Sequence, residues 1–182
     1  MTLVRPFFAV AVLAMLFGAW QPAAAQVRVT YDAAGKELFS VVAPDNWVVT
    51  TGAGEGAEED RPRVLGMHPE GDYSMWIGFF SPAETRSIDD AEEYVKGLGP
   101  RIVQNATVER QKDGSLGGLP ARLYTGKGTR AGAPVDFSIG VVSLPGGRQA
   151  IAIFVGEYGA REVYKADIDI IAKSLLVGKD GR

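Results

Sequence analysis

The single histidine of the chain lies in a segment that could bind a divalent metal. His68 is followed by Glu70 and Asp72 in the run His-Pro-Glu-Gly-Asp. One imidazole and two carboxylates are suitable ligands for zinc or manganese. Pro69 and Gly71 are residues that form turns, so an exposed turn is the simpler interpretation and a metal site is the alternative.

A second cluster of carboxylates lies in a glycine-rich segment at 52–60, which contains Glu55, Glu58, Glu59 and Asp60. Carboxylate oxygens suit calcium, but the ligand spacing of an EF-hand loop is missing. The same acids would repel a phosphate from the glycines that precede them. We therefore predict a solvated loop, with calcium binding as the alternative.

The motifs that could support catalysis are incomplete. The run 114–117 falls short of the G-x-S-x-G nucleophile elbow, and a serine hydrolase would depend on His68 as its base. The run 126–129 contains the residue types of a nucleotide-binding loop, but it lacks the glycine five positions earlier that this motif requires. It therefore predicts a hairpin turn. The chain has no cysteine, which excludes disulfides, a thiolate nucleophile and cysteine-bound metals. We predict no enzyme, no cofactor and no metal, and keep a hydrolase as the weakest alternative.

Four large aromatic residues could line a ligand groove or a partner surface: Trp47, Trp76, Phe79 and Phe80. Aromatic side chains bury a large area and dominate the energetics of interfaces. A domain of this size also needs large residues in its core, so core packing is the favoured interpretation for each tryptophan.

The first 25 residues have the pattern of a secretory signal peptide. One positive charge at Arg5 precedes an apolar run over 7–20, and small residues precede Gln26. We predict cleavage after Ala25, a periplasmic or secreted protein, and no membrane insertion after cleavage. The remaining 157 residues at 26–182 are typical of one domain.

The composition fits a folded domain that does not bind nucleic acids. The chain is 46% hydrophobic and 23% charged, which excludes intrinsic disorder. Loss of Arg5 with the leader changes the formal net charge from −3 to −4. A mildly acidic chain with interspersed signs lacks the basic surface that binding to phosphate backbones requires.

Hydrophobic periodicity predicts an α+β domain with seven or more mostly antiparallel strands. Ser87 and Asp90 predict the start of a helix over 88–96, and a second helical face covers 164–175. The apolar run 150–155 predicts a central strand covered on both faces. The first three strands should form an antiparallel meander. The predicted strands are 27–31, 37–43, 47–51, 63–67, 73–80, 107–112, 121–125, 135–144 and 149–155.

Three short motifs resemble the PsbP-like superfamily over residues 37 to 176. The run Phe39-Ser40-Val41-Val42-Ala43-Pro44-Asp45-Asn46-Trp47 is similar to the opening strand, proline and GW-like turn of these domains. Gly118-Leu119-Pro120-Ala121 resembles the G-x-P-A start of a strand, and Ile171 with Ser174-Leu175 resembles the terminal I-x-x-S-L helix. The resemblance implies an α/β/α sandwich around an antiparallel sheet.

The resemblance does not imply one activity. The superfamily includes extrinsic photosystem II subunits, a Ran-binding nuclear factor and bacterial exported proteins, and fold alone does not choose among them. We expect a non-enzymatic accessory domain of the cell envelope that contacts a protein partner. The alternative is a periplasmic protein that binds a small ligand or a metal. A deep cleft lined by polar groups with shifted pKa values would count against protein contact as the main role.

Overall fold

The computed structural model describes residues 26–52 and 63–181. The predicted signal peptide and the acidic residues Glu55, Glu58, Glu59 and Asp60 lie outside the described residues. The ten strands in chain order are β1 (Gln26–Ala33), β2 (Lys36–Pro44), β3 (Trp47–Gly52), β4 (Val64–Pro69), β5 (Met75–Phe80), β6 (Gln104–Leu116), β7 (Leu119–Arg130), β8 (Ala133–Ser143), β9 (Gln149–Glu157) and β10 (Leu176–Val177). The helices are α1 (Ile88–Ile102), α2 (Ala160–Val163) and α3 (Lys165–Lys173).

Seven strands form the main sheet in the order β3-β4-β5-β9-β8-β7-β6. All its neighbouring strands are antiparallel. The central strand is β9, and this prediction from the apolar run is confirmed. The fold is the predicted α+β class, with helices packed on a mostly antiparallel sheet.

A separate small sheet has the order β1-β2-β10. The predicted meander of the first three strands is therefore wrong. β1 and β2 pair as a hairpin, but the turn at Asp45-Asn46 takes the chain into the main sheet instead of pairing β2 with β3. The small sheet is completed by β10, whose Leu176 and Val177 pair with Ser40 and Phe39.

The helix α1 begins where the sequence predicts and ends later. The Ser87 hydroxyl accepts a hydrogen bond from the Asp90 backbone, and the Asp90 carboxylate accepts one from the Ser87 backbone. This capping box fixes the first turn. The helix continues past Lys96 to Ile102 with Pro100 inside it, because apolar residues of its later turns pack against the core. Tertiary packing here outweighs the low helix propensity of glycine and proline.

The predicted C-terminal helix is two helices that meet at Tyr164. The predicted β-strands at 107–112 and 121–125 are also longer, and the expected break at 126–132 shortens to a turn after Arg130. His68 and Pro69 belong to β4 instead of a turn.

The two faces of the main sheet have different covers. Side chains alternate between the faces of a strand, so Ile139 and Ser138 point to opposite sides. α1 covers the side of Ile139, which we call the α1 face. The small sheet, α2 and α3 cover the other side, which we call the packed face: Phe39 lies 6.4 Å from Phe79, and Arg161 contacts Ser138. The result is a three-layer sandwich.

The end of α3 is anchored by two of the motifs found in the sequence. The Ser174 hydroxyl accepts a hydrogen bond of 2.7 Å from the Val42 backbone and donates one of 2.8 Å to the Ile171 carbonyl. Leu175 is completely buried. A side chain at Gly117 would lie 2.3 Å from the Leu175 carbonyl oxygen, so only glycine permits this approach.

Candidate functional site

A cavity of about 370 Å³ lies between α1 and the α1 face of the main sheet. This volume falls within the range of about 300–1,000 Å³ found for small-molecule sites. Its described lining is mostly apolar and comes from α1, the start of β6 and the three strands next to β6. The sheet contributes Phe137, Ile139, Val141 and Ile153, and the helix contributes Val95 and Ile102.

The cavity lies beside a part of α1 that places few long side chains over the sheet, although Leu98 and Ile102 pack against the core there. Gly99 and Pro100 line the cavity there, and neither places a long side chain into the space. Ala106, also in the lining, follows the helix in a bulged part of β6. A single amphipathic helix over a wide sheet thus leaves a volume that no side chain fills.

One wall of the cavity carries a hydrogen-bonded polar cluster. The Tyr124 hydroxyl donates a hydrogen bond to the Glu92 carboxylate. Arg122 also contacts that carboxylate, at 2.9 Å. Its guanidinium lies 3.2 Å from Asp113 and 3.6 Å from Asp89. Arg122 therefore joins the first half of α1 to the β6–β7 hairpin.

The cluster shifts the proton affinities of its members. Burial alone would raise the pKa of Glu92, but the hydrogen bonds from Tyr124 and Arg122 outweigh it and lower that pKa below its ordinary value. Burial and the bond to Glu92 raise the pKa of Tyr124 to about 12. The bonds to Glu92 and Asp113 raise the pKa of Arg122. At neutral pH the cluster holds an ionised carboxylate, a neutral phenol and a guanidinium.

The edge of the cavity carries two further polar side chains, Lys96 and Asn105. Lys96 follows Glu92 by one helical turn and is exposed. Its ammonium lies 3.8 Å from Glu93. Asn105 has a left-handed backbone with φ of 51°, and its amide donates a hydrogen bond of 3.3 Å to Thr129. The arrangement can hold an apolar group in the cavity and a polar group at its edge.

The motifs in the sequence do not predict this polar cluster, although the spacing of two of its residues indicates it. Arg122 and Tyr124 are two positions apart in β7, so their side chains lie on the same face of the sheet, the α1 face. Two polar residues at this spacing on an apolar sheet indicate a polar partner on the covering element. Glu92 lies on the helix predicted over 88–96 and is half-buried against these two residues.

The histidine segment is used for packing. Asp72 accepts hydrogen bonds from the Tyr164 hydroxyl at 2.5 Å and from the Ser74 backbone at 2.7 Å. The His68 ring lies 4.9 Å from the Tyr73 ring. Within residues 26–52 and 63–181, no three histidine or acidic side chains are grouped closely enough to hold a metal ion.

Three of the four candidate aromatic residues belong to the core. Trp47 donates a hydrogen bond of 3.0 Å to Asp167 on the packed face, and Phe79 and Phe80 are buried on opposite faces. Trp76 is half-buried on the α1 face. Its indole lies over Gly66 and Gly78, where an added Cβ would come within 3.0 Å and 2.1 Å of the ring. These residues do not form one groove.

The incomplete catalytic motifs lie in strands and turns. The run 114–117 ends β6 and begins the turn into β7, and the run 126–129 is part of β7. A second, more open depression of about 350 Å³ lies beside that turn and includes Asp169, which pairs with Lys165 at 2.8 Å. None of the described helices is long and apolar enough to cross a membrane.

No protein-family model matches the sequence, and no curated protein matches it. Solved structures are similar in fold. Cyanobacterial PsbP from Synechocystis is 13% identical, with a TM-score of 0.54 over 88% of this chain and 96% of that chain. LpqN of Mycobacterium tuberculosis, involved in cell envelope biogenesis, is 10% identical, with a TM-score of 0.49 over 86% and 92%.

A protein of unknown function from Pseudomonas aeruginosa is 10% identical, with a TM-score of 0.45 over 82% of this chain and 96% of that chain. Identities this low concern architecture and not activity. The similarity to PsbP extends over 88% of this chain and agrees with the predicted α+β sandwich. The chain therefore has the PsbP-like fold.

Proposed function

We propose that the protein is an exported, non-enzymatic accessory domain of the cell envelope that binds a small, mostly apolar ligand under α1. The observation that carries the proposal is the cavity of about 370 Å³, whose lining is mostly apolar, with the Glu92 cluster on one wall and Lys96 and Asn105 as its other polar side chains. Ligand sites of this kind combine apolar walls with a few fixed polar groups. This gives the ligand-binding alternative precedence over protein contact alone.

A non-catalytic role is supported by the state of the polar groups. The Glu92 carboxylate is engaged by Tyr124 and Arg122, which lowers its pKa and makes it a poor general base at neutral pH. The high pKa of Tyr124 makes its phenol a poor nucleophile. His68 is not in the described cavity lining. The cluster fits positioning of α1 better than bond cleavage.

Export is supported by the leader pattern at residues 1–25. The test is the N-terminal residue of the protein recovered from the envelope fraction of its own host. We expect it to begin at Gln26. Recovery of the chain from the cytoplasm with Met1 intact would contradict export.

Ligand binding is tested by thermal unfolding in the presence of n-decanol, an apolar probe. A ligand at 100 times its Kd adds about 2.7 kcal/mol to the free energy of unfolding. We expect decanol to raise the unfolding temperature of the wild type and not of Ile139→Phe, because the larger ring would fill the cavity. The matched control is Val163→Phe, at a position 76% exposed outside the cavity, which should respond like the wild type. An equal response of both variants would refute the cavity as the site.

Protein contact remains a second candidate function because of one edge of the sheet. β6 is the outer strand of the main sheet, and its first twelve residues are exposed. An exposed edge can pair with an extended strand of a partner. A photoreactive side chain at Gln111 should then crosslink to one envelope protein, whereas the same group at Glu162 on α2 should not. Equal labelling at both positions would contradict this second function.

A further inference from the structure

The charged groups of the cavity differ in how well they are neutralised. Among the described lining residues only Glu92 and Lys96 carry a charge at neutral pH. Glu92 has two close donors, Arg122 at 2.9 Å and the Tyr124 hydroxyl. Both donors contact the same oxygen of Glu92, and Arg122 is shared with Asp113 and Asp89, so this carboxylate is engaged within the protein.

Lys96 is the other charged residue of the cavity lining, and its ammonium is held less closely than the Glu92 carboxylate. Its ion pair with Glu93 spans 3.8 Å, and the two side chains are 71% and 82% exposed. Such exposed pairs contribute little and are screened by salt. Lys96 also helps to lower the pKa of Glu92 through its charge, but no ion pair of its ammonium in the described residues is shorter than the one with Glu93, so it can pair with a ligand without losing a strong partner.

Lys96 lies at the exposed edge of a cavity whose interior is apolar. A lysine can lay its alkyl stem along an apolar surface and keep its ammonium in water. A ligand with one charged end could keep that end hydrated at the edge while its chain enters between α1 and the sheet. Asn105, on the bulge of β6 that lines the cavity, has a second amide hydrogen besides the one donated to Thr129, and this hydrogen can contact an oxygen atom.

We infer that the ligand of this cavity is an amphiphile with an alkyl chain and a single anionic head group, carboxylate or phosphate, that pairs with Lys96. The inference rests on the proposed function and adds the chemical class of the ligand. A cationic head would face Lys96 and would find the Glu92 carboxylate already engaged. A neutral head would leave the charge of Lys96 unused.

The experiment compares four probes that share a ten-carbon chain: decanoate, decyl phosphate, n-decanol and decylamine. Each is titrated by calorimetry into the full folded protein at neutral pH, low salt and concentrations below micelle formation. We expect the two anionic probes to bind more tightly than decanol, and decylamine to bind most weakly. The difference between decanoate and decyl phosphate shows which anionic head is preferred.

Variants of Lys96 test the role of its charge. Lys96→Gln should weaken decanoate about threefold to fivefold, as expected for an exposed ion pair, and leave decanol unchanged. Lys96→Glu should reverse the order of decanoate and decylamine. Lys165→Gln is the matched control, because Lys165 is also 70% exposed but lies outside the cavity lining, so this variant should bind like the wild type.

The outcomes separate the two proposals. If decanol binds as tightly as decanoate, or Lys96→Gln leaves decanoate binding unchanged, the anionic head is wrong and the ligand cavity stands. If decylamine binds best, the inferred sign of the head group is wrong. If none of the four probes binds, both the inference and the proposed ligand-binding function fail.

Discussion

Phe39 and Leu175, which cover the packed face of the main sheet, are completely buried. On the α1 face the middle of the sheet is buried too, at Val141 and Ile151, but Tyr124 and Ile139 beside the cavity remain half-buried. The packed face is covered by a small sheet and two helices. The α1 face has one helix, in which Ala91 is the one buried residue. Both faces therefore contribute to the buried core, and the α1 face in addition holds the free volume in which we propose that a ligand binds.

The largest expected effect is the removal of a packed aromatic ring. Phe39 stacks on Tyr31 at 4.6 Å and contacts Phe79. Phe39→Ala should lower the free energy of unfolding by about 3–5 kcal/mol, measured by denaturant titration. Ile139→Ala on the α1 face should cost about 2 kcal/mol, because the space beside Ile139 is already empty. Equal costs would remove the distinction between the two faces.

A smaller effect is expected from the polar wall of the cavity. Tyr124→Phe removes the hydrogen bond to ionised Glu92 and should cost about 1.5 kcal/mol at pH 7. The pKa of Tyr124 is raised from 10.0 to about 12 on folding. Its contribution to stability is therefore complete below pH 10 and is lost as the pH rises towards 12.

The pH dependence of the stability is tested by comparing the wild type with Tyr124→Phe. Tyr31 and Tyr164 also have raised pKa values, so the wild type and Tyr124→Phe should both lose stability at alkaline pH. The difference between them should shrink between pH 10 and 12. A constant difference over this range would show that the Tyr124 hydroxyl is not coupled to folding.

The N-cap of α1 should contribute about 1 kcal/mol to the free energy of unfolding. Ser87→Ala removes the side-chain half of the capping box and leaves the first backbone donors without that partner. We expect this loss in thermal unfolding, together with weaker decanol binding, because α1 forms one wall of the cavity. Ser115→Ala, in β6, is a control for the loss of a hydroxyl outside any helix. Unchanged stability of Ser87→Ala would show that the cap does not fix α1.

The smallest expected effect is a gain in stability from replacing a glycine in α1. An added Cβ at Gly99 or Gly97 would meet no atom within 4 Å apart from the backbone of α1 itself. Gly97→Ala should therefore stabilise the helix by about 0.5–1 kcal/mol. Gly99→Ala should gain less or nothing, because a Cβ directly before Pro100 disfavours the helical backbone. Only Gly99 lines the cavity, so Gly99→Ala should slow decanol association in stopped-flow measurements, and Gly97→Ala should not. Equal association rates would indicate that the ligand enters elsewhere.

Much of the fold was predictable because local patterns agree with the final contacts. The apolar run 150–155 needs cover on both faces, and β9 is central for this reason. Ser87 and Asp90 form a capping box at the predicted start of α1. The terminal motif around Ser174 is predictable as a helix end, although its bond to the Val42 backbone is not.

The cavity was not predictable because it depends on distances between elements far apart in the sequence. Gly126 and Gly128 suggest a turn, yet both lie inside β7. A side chain at Gly126 would lie 2.2 Å from the Thr107 carbonyl oxygen, and one at Gly128 would lie 2.3 Å from Val103. These glycines mark the close approach of the end of α1 and the start of β6, which no local pattern contains.

The pairing of β10 with β2 has a consequence for the order of folding. Residues 176–177 supply the third strand beside residues 39–40, so one edge of the first hairpin stays open until residues more than 130 positions further along the chain have been synthesised. Contacts of such sequence separation form slowly, and an unpaired edge is prone to wrong associations. Pairing of residues 176–177 thus closes this edge, and their removal should slow folding of the protein more than their small buried area suggests.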